Sequence, residues 1–216
     1  MRTIYGFHGF VPGLDMQDEF RLTLCWRKMW SEAGWNPVML NEWQAMKHPY
    51  YAEFKAAVQA LPTVNPENYE YFCYVRWLAL AQVGGGFLSD TDVVPYVGLD
   101  AAINAALDHA GFPSKLHLFQ GCAPCLVYAS AETAEKVCRI FTGERLGEQQ
   151  INDRPHCSDQ YFLAAIPDGD LIQRHEIVKQ YGDAGWETAP AVHYSLGSMA
   201  PAGKTPKWKW IPKLRK

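Results

Sequence analysis

At 216 residues, 48% hydrophobic and 20% charged, the chain has the profile of one compact globular domain with room for a substantial core. No run approaches the roughly 18 apolar residues of a membrane span, and Met1 to Gly13 has no leader-type apolar stretch, so a soluble, cytoplasmic protein is expected. The net charge of −3 hides an asymmetry: residues 204–216 hold six Lys/Arg and no acid, leaving 14 bases against 23 acids in residues 1–203, and so acidic a body argues against nucleic-acid binding. On this ground the chain divides into a domain over 1–203 and a basic, Trp-containing tail over 204–216.

Strands alternate with helices from the first residues onward, the order of an α/β fold. Thr3 to Phe7 reads as a first strand, and after a Gly/Pro loop a helix is predicted over Gln17 to Ala33, with Gly34 as its stop. A short strand over Val38 to Leu40 and one helix over Glu42 to Ala60 follow. The next helix has Asn65 placed as N-cap, Pro66 in the first helical position and Glu67 in the first turn, and runs to Gly84. Its wheel puts Tyr69, Phe72, Cys73, Arg76, Leu80 and Val83 on one face of a largely apolar helix. Arg76 is the only cation there and must meet an anion, either in a structural ion pair or at the loop that follows.

That loop is Gly84-Gly-Gly-Phe-Leu-Ser-Asp90-Thr-Asp92, two carboxylates one residue apart at the end of an apolar run. Such a pair aims two hard oxygen ligands at one point, as a divalent cation requires. Chance alone supplies about 0.6 Asp-x-Asp pairs in a chain of this composition, so the surroundings must carry the argument. A second copy, Asp168-Gly-Asp170, reads as an ordinary turn. Further on, a strand is predicted over Leu126 to Ala129, a helix over Asp159 to Ala165 capped by Ser158, and a strand over Ala191 to Ser195 carrying His193. Six cysteines scattered through a domain of this size do not make a disulfide framework. Cys122-Ala-Pro-Cys125 has no second pair at zinc-ribbon spacing and reads as a turn into its strand.

Arg76-Trp77, Leu80, Gly84-Gly85, Phe87 and Asp90-Thr91-Asp92-Val93-Val94 together resemble the sugar-binding Asp-x-Asp region of glycosyltransferases, in particular the family 32 type of yeast-like α-mannosyltransferases and bacterial capsular-polysaccharide enzymes. The match covers Tyr69 to Tyr96, with two departures: Gly86 lengthens the glycine run by one, and Cys73 stands where the family has an Asp. The resemblance implies a single-domain GT-A fold, a Rossmann-like α/β domain with a mixed central sheet flanked by helices. It further implies a nucleotide-diphosphate sugar (UDP- or GDP-linked) as donor, a glycan or glycoconjugate acceptor, and Mn²⁺ or Mg²⁺ as cofactor. By the same resemblance Asp90 and Asp92 hold the metal, Asp90 also reaches donor hydroxyls, and His193 is the third metal ligand. Phe7 and His8 at the end of the first strand, Arg76, Ser195 and Lys204 are then donor-binding, Lys204 through the diphosphate.

Asp159 is the candidate catalytic carboxylate, as a base or as a polar group beside the anomeric carbon, although it also suits the first turn of a helix. Family 32 resemblance implies retention of configuration, but the matching segment does not fix stereochemistry. By the GT-A resemblance, Gln120 and Gly121 fall where an acceptor site is expected. The basic tail is a flap over the diphosphate, a patch drawn to anionic lipid in peripheral membrane contact, or a solvated end. Two other readings use the same residues: a haloacid-dehalogenase-like phosphatase with Asp90 as nucleophile, and an inactive sugar-nucleotide-binding protein.

Overall fold

The computed structural model describes residues 1–66, 68–108, 112–121, 123–143, 155–169 and 171–214; Glu67, Cys122, Asp170 and the last two residues of the tail lie outside them. Strand β1 (Thr3–Phe7) leads to α1 (Met16–Glu32), which Asp15 caps by accepting from the Gln17 and Asp18 amides at 2.8 and 3.2 Å. Gly34 takes φ +85° as the helix stops. Strand β2 (Asn36–Leu40) begins two residues before the predicted start, because an edge strand tolerates Pro37. The single helix predicted from Glu42 to Ala60 is two, α2 (Glu42–Ala45) and α3 (Tyr51–Gln59). Pro49 lacks an amide proton and disfavours helical geometry at His48, which divides them.

Helix α4 (Tyr69–Gln82) begins three residues after the predicted first position. Asn68 stands before it at φ +66° without a side-chain cap, and Asn65, expected to cap, gives its side-chain amide to Glu70 instead. The helix is buried over Tyr74 to Ala81, while Tyr69, Phe72, Cys73 and Arg76, which the wheel grouped, look into a cleft. Strand β3 (Gly85–Ser89) follows; a Cβ on Gly85, at φ +82°, would stand 2.5 Å from the Ala129 carbonyl oxygen, so only glycine fits.

The remaining elements are β4 (Val93–Pro95), α5 (Leu99–Asp108), β5 (Leu116–Gln120), β6 (Ala123–Ser130), α6 (Ala131–Phe141), α7 (Asp159–Ala164), β7 (Ile172–Arg174), β8 (Val178–Gln180), a 3₁₀ turn (Trp186–Thr188), β9 (Ala191–His193), α8 (Leu196–Met199) and α9 (Lys207–Leu214). Six strands form a mixed sheet in the order β2-β1-β3-β6-β5-β7, and β4-β9-β8 form a second, smaller one. Alternation along the strands feeds two cores: Leu88 and Val127 face a layer with α3, α4, α6 and α7, while Ile4, Phe87 and Leu126 face Trp26, Trp30 and Ile103 of α1 and α5. The mixed sheet flanked by helices is the arrangement expected.

The tail does not stand apart. Ile211 is fully buried in α9, and Trp208 donates its indole N–H to Asp18 of α1 at 2.6 Å while Arg21 lies over its ring. Among the described residues no helix is long and apolar enough to cross a membrane.

Candidate functional site

Strands β1 and β3 are parallel neighbours, so Phe7, His8, Ser89 and Asp90 arrive at one edge of the sheet. There the chain leaves the large sheet for the small one, and Asp90-Thr91-Asp92 is the link. Its backbone is pinned at both ends: the Asp90 amide donates to the Cys125 carbonyl at 2.8 Å and the Tyr194 amide to the Asp92 carbonyl at 2.9 Å. Antiparallel pairing of β4 with β9 sets His193 opposite Val93 and so beside Asp92. Two residues a hundred positions apart are thereby brought to one point by strand register.

One ligand atom from each of Asp90, Asp92 and His193 lies within 4.8 Å of the others. His193 Nδ1 donates to Gln120 Oε1 at 2.8 Å. The Gln120 amide is itself fixed, because its Nε2 donates to Gln180 Oε1 at 3.2 Å and Gln180 Nε2 donates to Ser195 Oγ. This relay leaves His193 Nε2 turned to Asp92 Oδ1 at 3.5 Å, the orientation a metal-binding imidazole takes when its other nitrogen is held. Two carboxylates and an imidazole in this geometry fit a hard or borderline divalent cation.

Cations of the chain already meet both carboxylates. Arg76, almost wholly buried, binds Asp90 Oδ1 through Nη1, Asp159 Oδ2 through Nε and Nη2 at 3.2 and 2.6 Å, and the Cys73 carbonyl at 3.1 Å. Its charge thus enters an internal pair and the Asp-x-Asp loop at once. Lys207 of α9 binds Asp92 Oδ2 at 2.8 Å. Burial pushes the Asp92 carboxyl up, but Lys207 and then His193 outweigh it and hold the group below the usual carboxylate range. The Asp90 carboxyl is raised, by burial first and by Asp92, against the pull of Arg76. Burial favours neutral His193, yet the Cys125 sulfur and Asp92 raise its pKa well above the usual value, so a metal would displace a proton from Nε2.

The other expected residues are divided. Phe7, His8, Ser195, Arg76 and Asp159 line one cleft of about 680 Å³ with the acidic cluster, a size suited to a small-molecule ligand. Ser195 also caps α8. Lys204 is not in the group: its ammonium binds the Tyr181 hydroxyl and lies over that ring. The tail cation at the cleft is Lys207, which sequence reasoning passed over because the charge run marks the segment and not the residue. Asp159, expected as the catalytic carboxylate, is 4% exposed and its Oδ2 receives Arg76 twice and the Trp77 indole N–H at 3.0 Å. Those donors hold the carboxylate in place, and Ser158 caps its helix through the Tyr161 amide. Gln120 serves His193, as described; Gly121 is at φ +45° with its amide bound to His175.

A crystal structure of a glycosyltransferase involved in the glycosylation of the major capsid of PBCV-1 is similar in fold, with a TM-score of 0.57 over 96% of this chain and 98% of that one at 12% identity. The chain therefore shares the fold of that enzyme. No curated protein matches its sequence. The profile described as "Domain of unknown function (DUF8765)" matches residues 13–158, from the turn before α1 through Asp90 and Asp92 to Ser158, and the chain belongs to that family.

Proposed function

We propose that the protein is a metal-dependent glycosyltransferase that moves a hexose from a UDP- or GDP-sugar to a hydroxyl of a glycan or glycoconjugate. The observation that carries this reading is the cluster of Asp90, Asp92 and His193 at the strand ends of a glycosyltransferase fold, in a cleft lined by two further cations. Asp90, Asp92 and His193 would hold Mn²⁺ or Mg²⁺, which when bound supplies a Lewis acid for the charge that develops on a departing diphosphate. Arg76 keeps Asp90 in place against the repulsion of Asp92 and Asp159. Lys207, whose ammonium neutralises Asp92, is within the same cleft and suits a phosphate oxygen once a metal takes over that carboxylate. His8 and Phe7 at the end of β1 suit the nucleotide base, Phe7 being backed by Phe72 with ring centroids 6.1 Å apart. The phosphatase reading needs an Asp90 carboxylate free to attack, and no observation favours it over the carboxylate that Arg76 holds.

Thermal shift with UDP- and GDP-sugars, with and without Mn²⁺, tests the proposal: the midpoint should rise with one donor class only when metal is present. Asp92→Ala should abolish both that rise and metal-dependent donor hydrolysis. Hydrolysis that survives Asp92→Ala and EDTA would refute it.

A further inference from the structure

Helix α1 carries Phe20 and Leu24 four residues apart, 60% and 48% exposed, on the side away from its buried residues Leu22, Trp26, Met29 and Trp30. Their apolar surface adds nothing to either core. The cations Arg21, Arg27 and Lys28 stand on the same exposed side of the helix. Helix α9 extends this surface: Arg21 lies over the Trp208 ring at 4.7 Å and Lys209 over the same ring at 5.4 Å, while Lys213 lies over Trp210 at 5.1 Å. Lys209 and Lys213 are exposed and one turn apart, because buried Ile211 and the ion pair of Lys207 with Asp92 fix which side of α9 meets the protein. Among the described residues of α1 and α9, the acids on this side are Asp18 and Glu32. Both are engaged, Asp18 with the Trp208 indole and with Arg21 at 3.7 Å, and Glu32 with Lys28 at 3.9 Å. Five cations thus face two acids, in a molecule whose residues 1–203 carry 14 bases against 23 acids. So uneven a distribution turns this side toward an anionic surface and the rest of the body away from it.

We propose that the side formed by α1 and α9 is a docking surface for an anionic lipid bilayer, with Phe20 and Leu24 entering the head-group layer and the cations around them meeting the lipid phosphates. A nucleic acid would use the charge, but its phosphate backbone has no place for the two apolar side chains, whereas the boundary between head groups and acyl chains takes both. Trp208 and Trp210, partly buried beneath their cations, are the residue type that settles at that depth. The basic tail then acts as part of a folded face and not as a loose charged end, since α9 is docked on α1. The proposal stands apart from the glycosyltransferase reading, because docking on lipid needs neither donor nor metal.

Cosedimentation of the full chain with sucrose-loaded vesicles tests it, with phosphatidylcholine alone and with phosphatidylcholine containing roughly 30% phosphatidylserine. In about 0.1 M salt the wild type should partition at least about 10-fold more strongly to the serine-containing vesicles, and about 0.5 M salt should weaken that binding at least about 10-fold. Phe20→Ser with Leu24→Ser should lower the partition at least about 10-fold, and Lys209→Gln with Lys213→Gln about 10- to 30-fold. Both double variants should keep the wild-type melting midpoint, since all four side chains are exposed. Equal partition to the two kinds of vesicle, or either double variant binding within about twofold of wild type, would overturn the proposal. So would a wild type that binds no vesicle: a dimer on gel filtration that Phe20→Ser with Leu24→Ser abolishes would make the face an interface between copies, and a shifted DNA duplex in a gel would make it a nucleic-acid surface. Should a variant not fold, the wild-type preference for serine-containing vesicles and its salt dependence decide.

Discussion

Replacing Arg76 with Met removes a charge that pairs with two carboxylates on different elements. Asp159 would keep only the Trp77 indole as a donor to Oδ2, at 3.0 Å, in a side chain 6% exposed; Asp90, 32% exposed at its side chain, can recover water. The deficit therefore falls mainly on Asp159. Breaking a buried pair from one side costs about 3–5 kcal/mol. For a chain of this size each kcal/mol moves the melting midpoint by about 2–4 °C, so a fall of roughly 6–20 °C is expected. Urea unfolding at pH 7.5 measures the free energy directly. The double variant Arg76→Met with Asp159→Asn should recover at least half of the loss, because the stranded charge is gone. An Arg76→Met loss below about 1 kcal/mol, or a double variant as unstable as the sum of the singles, would refute the view that Arg76 acts by neutralising Asp159.

Lys207→Met removes the ammonium that competes for Asp92 Oδ2, so Mn²⁺ measured by calorimetry without donor should bind several-fold more tightly; weaker binding would mean that Lys207 supports the metal site. Gln120→Leu frees His193 Nδ1 and should weaken Mn²⁺ binding about 10- to 100-fold with little change in melting midpoint, and an unchanged affinity would dismiss the relay from Ser195 to His193. Glu70 binds its extra proton in the fold between its ordinary 4.5 and about 7, so its contribution to stability is complete below that range and is lost as pH rises through it. Wild type should therefore lose stability relative to Glu70→Gln between pH 5 and pH 8 in urea titrations, by about 1–2 kcal/mol once solvent screening is allowed for, and parallel curves would count against the raised carboxyl.

What could be read along the chain was whatever is local. The first strand lies over Thr3 to Phe7 as expected, α1 starts and stops within one residue of the prediction with Gly34 just past its end, and the glycine run before Asp90 marks a real break. Local rules failed where a nearby residue outbid them: Asn65 is a good cap in isolation, but the carboxylate of Glu70 claims its amide, and α4 starts later behind a left-handed Asn68. Periodicity grouped Tyr69, Phe72, Cys73 and Arg76 correctly as one face, yet a wheel cannot tell a face packed on protein from one that lines a cleft.

The site is the less legible part because its geometry is set by register across long separations. Asp90 and Asp92 could be proposed from their spacing. That His193 reaches them depends on β4 pairing antiparallel with β9, and that Lys207 and not Lys204 reaches Asp92 depends on how Trp208 docks on Asp18 and Arg21 of α1. Asp159 shows the same dependence: a carboxylate opening a helix beside a cleft has the local marks of a catalytic group, and its donors, Arg76 and Trp77, come from a helix some eighty residues earlier.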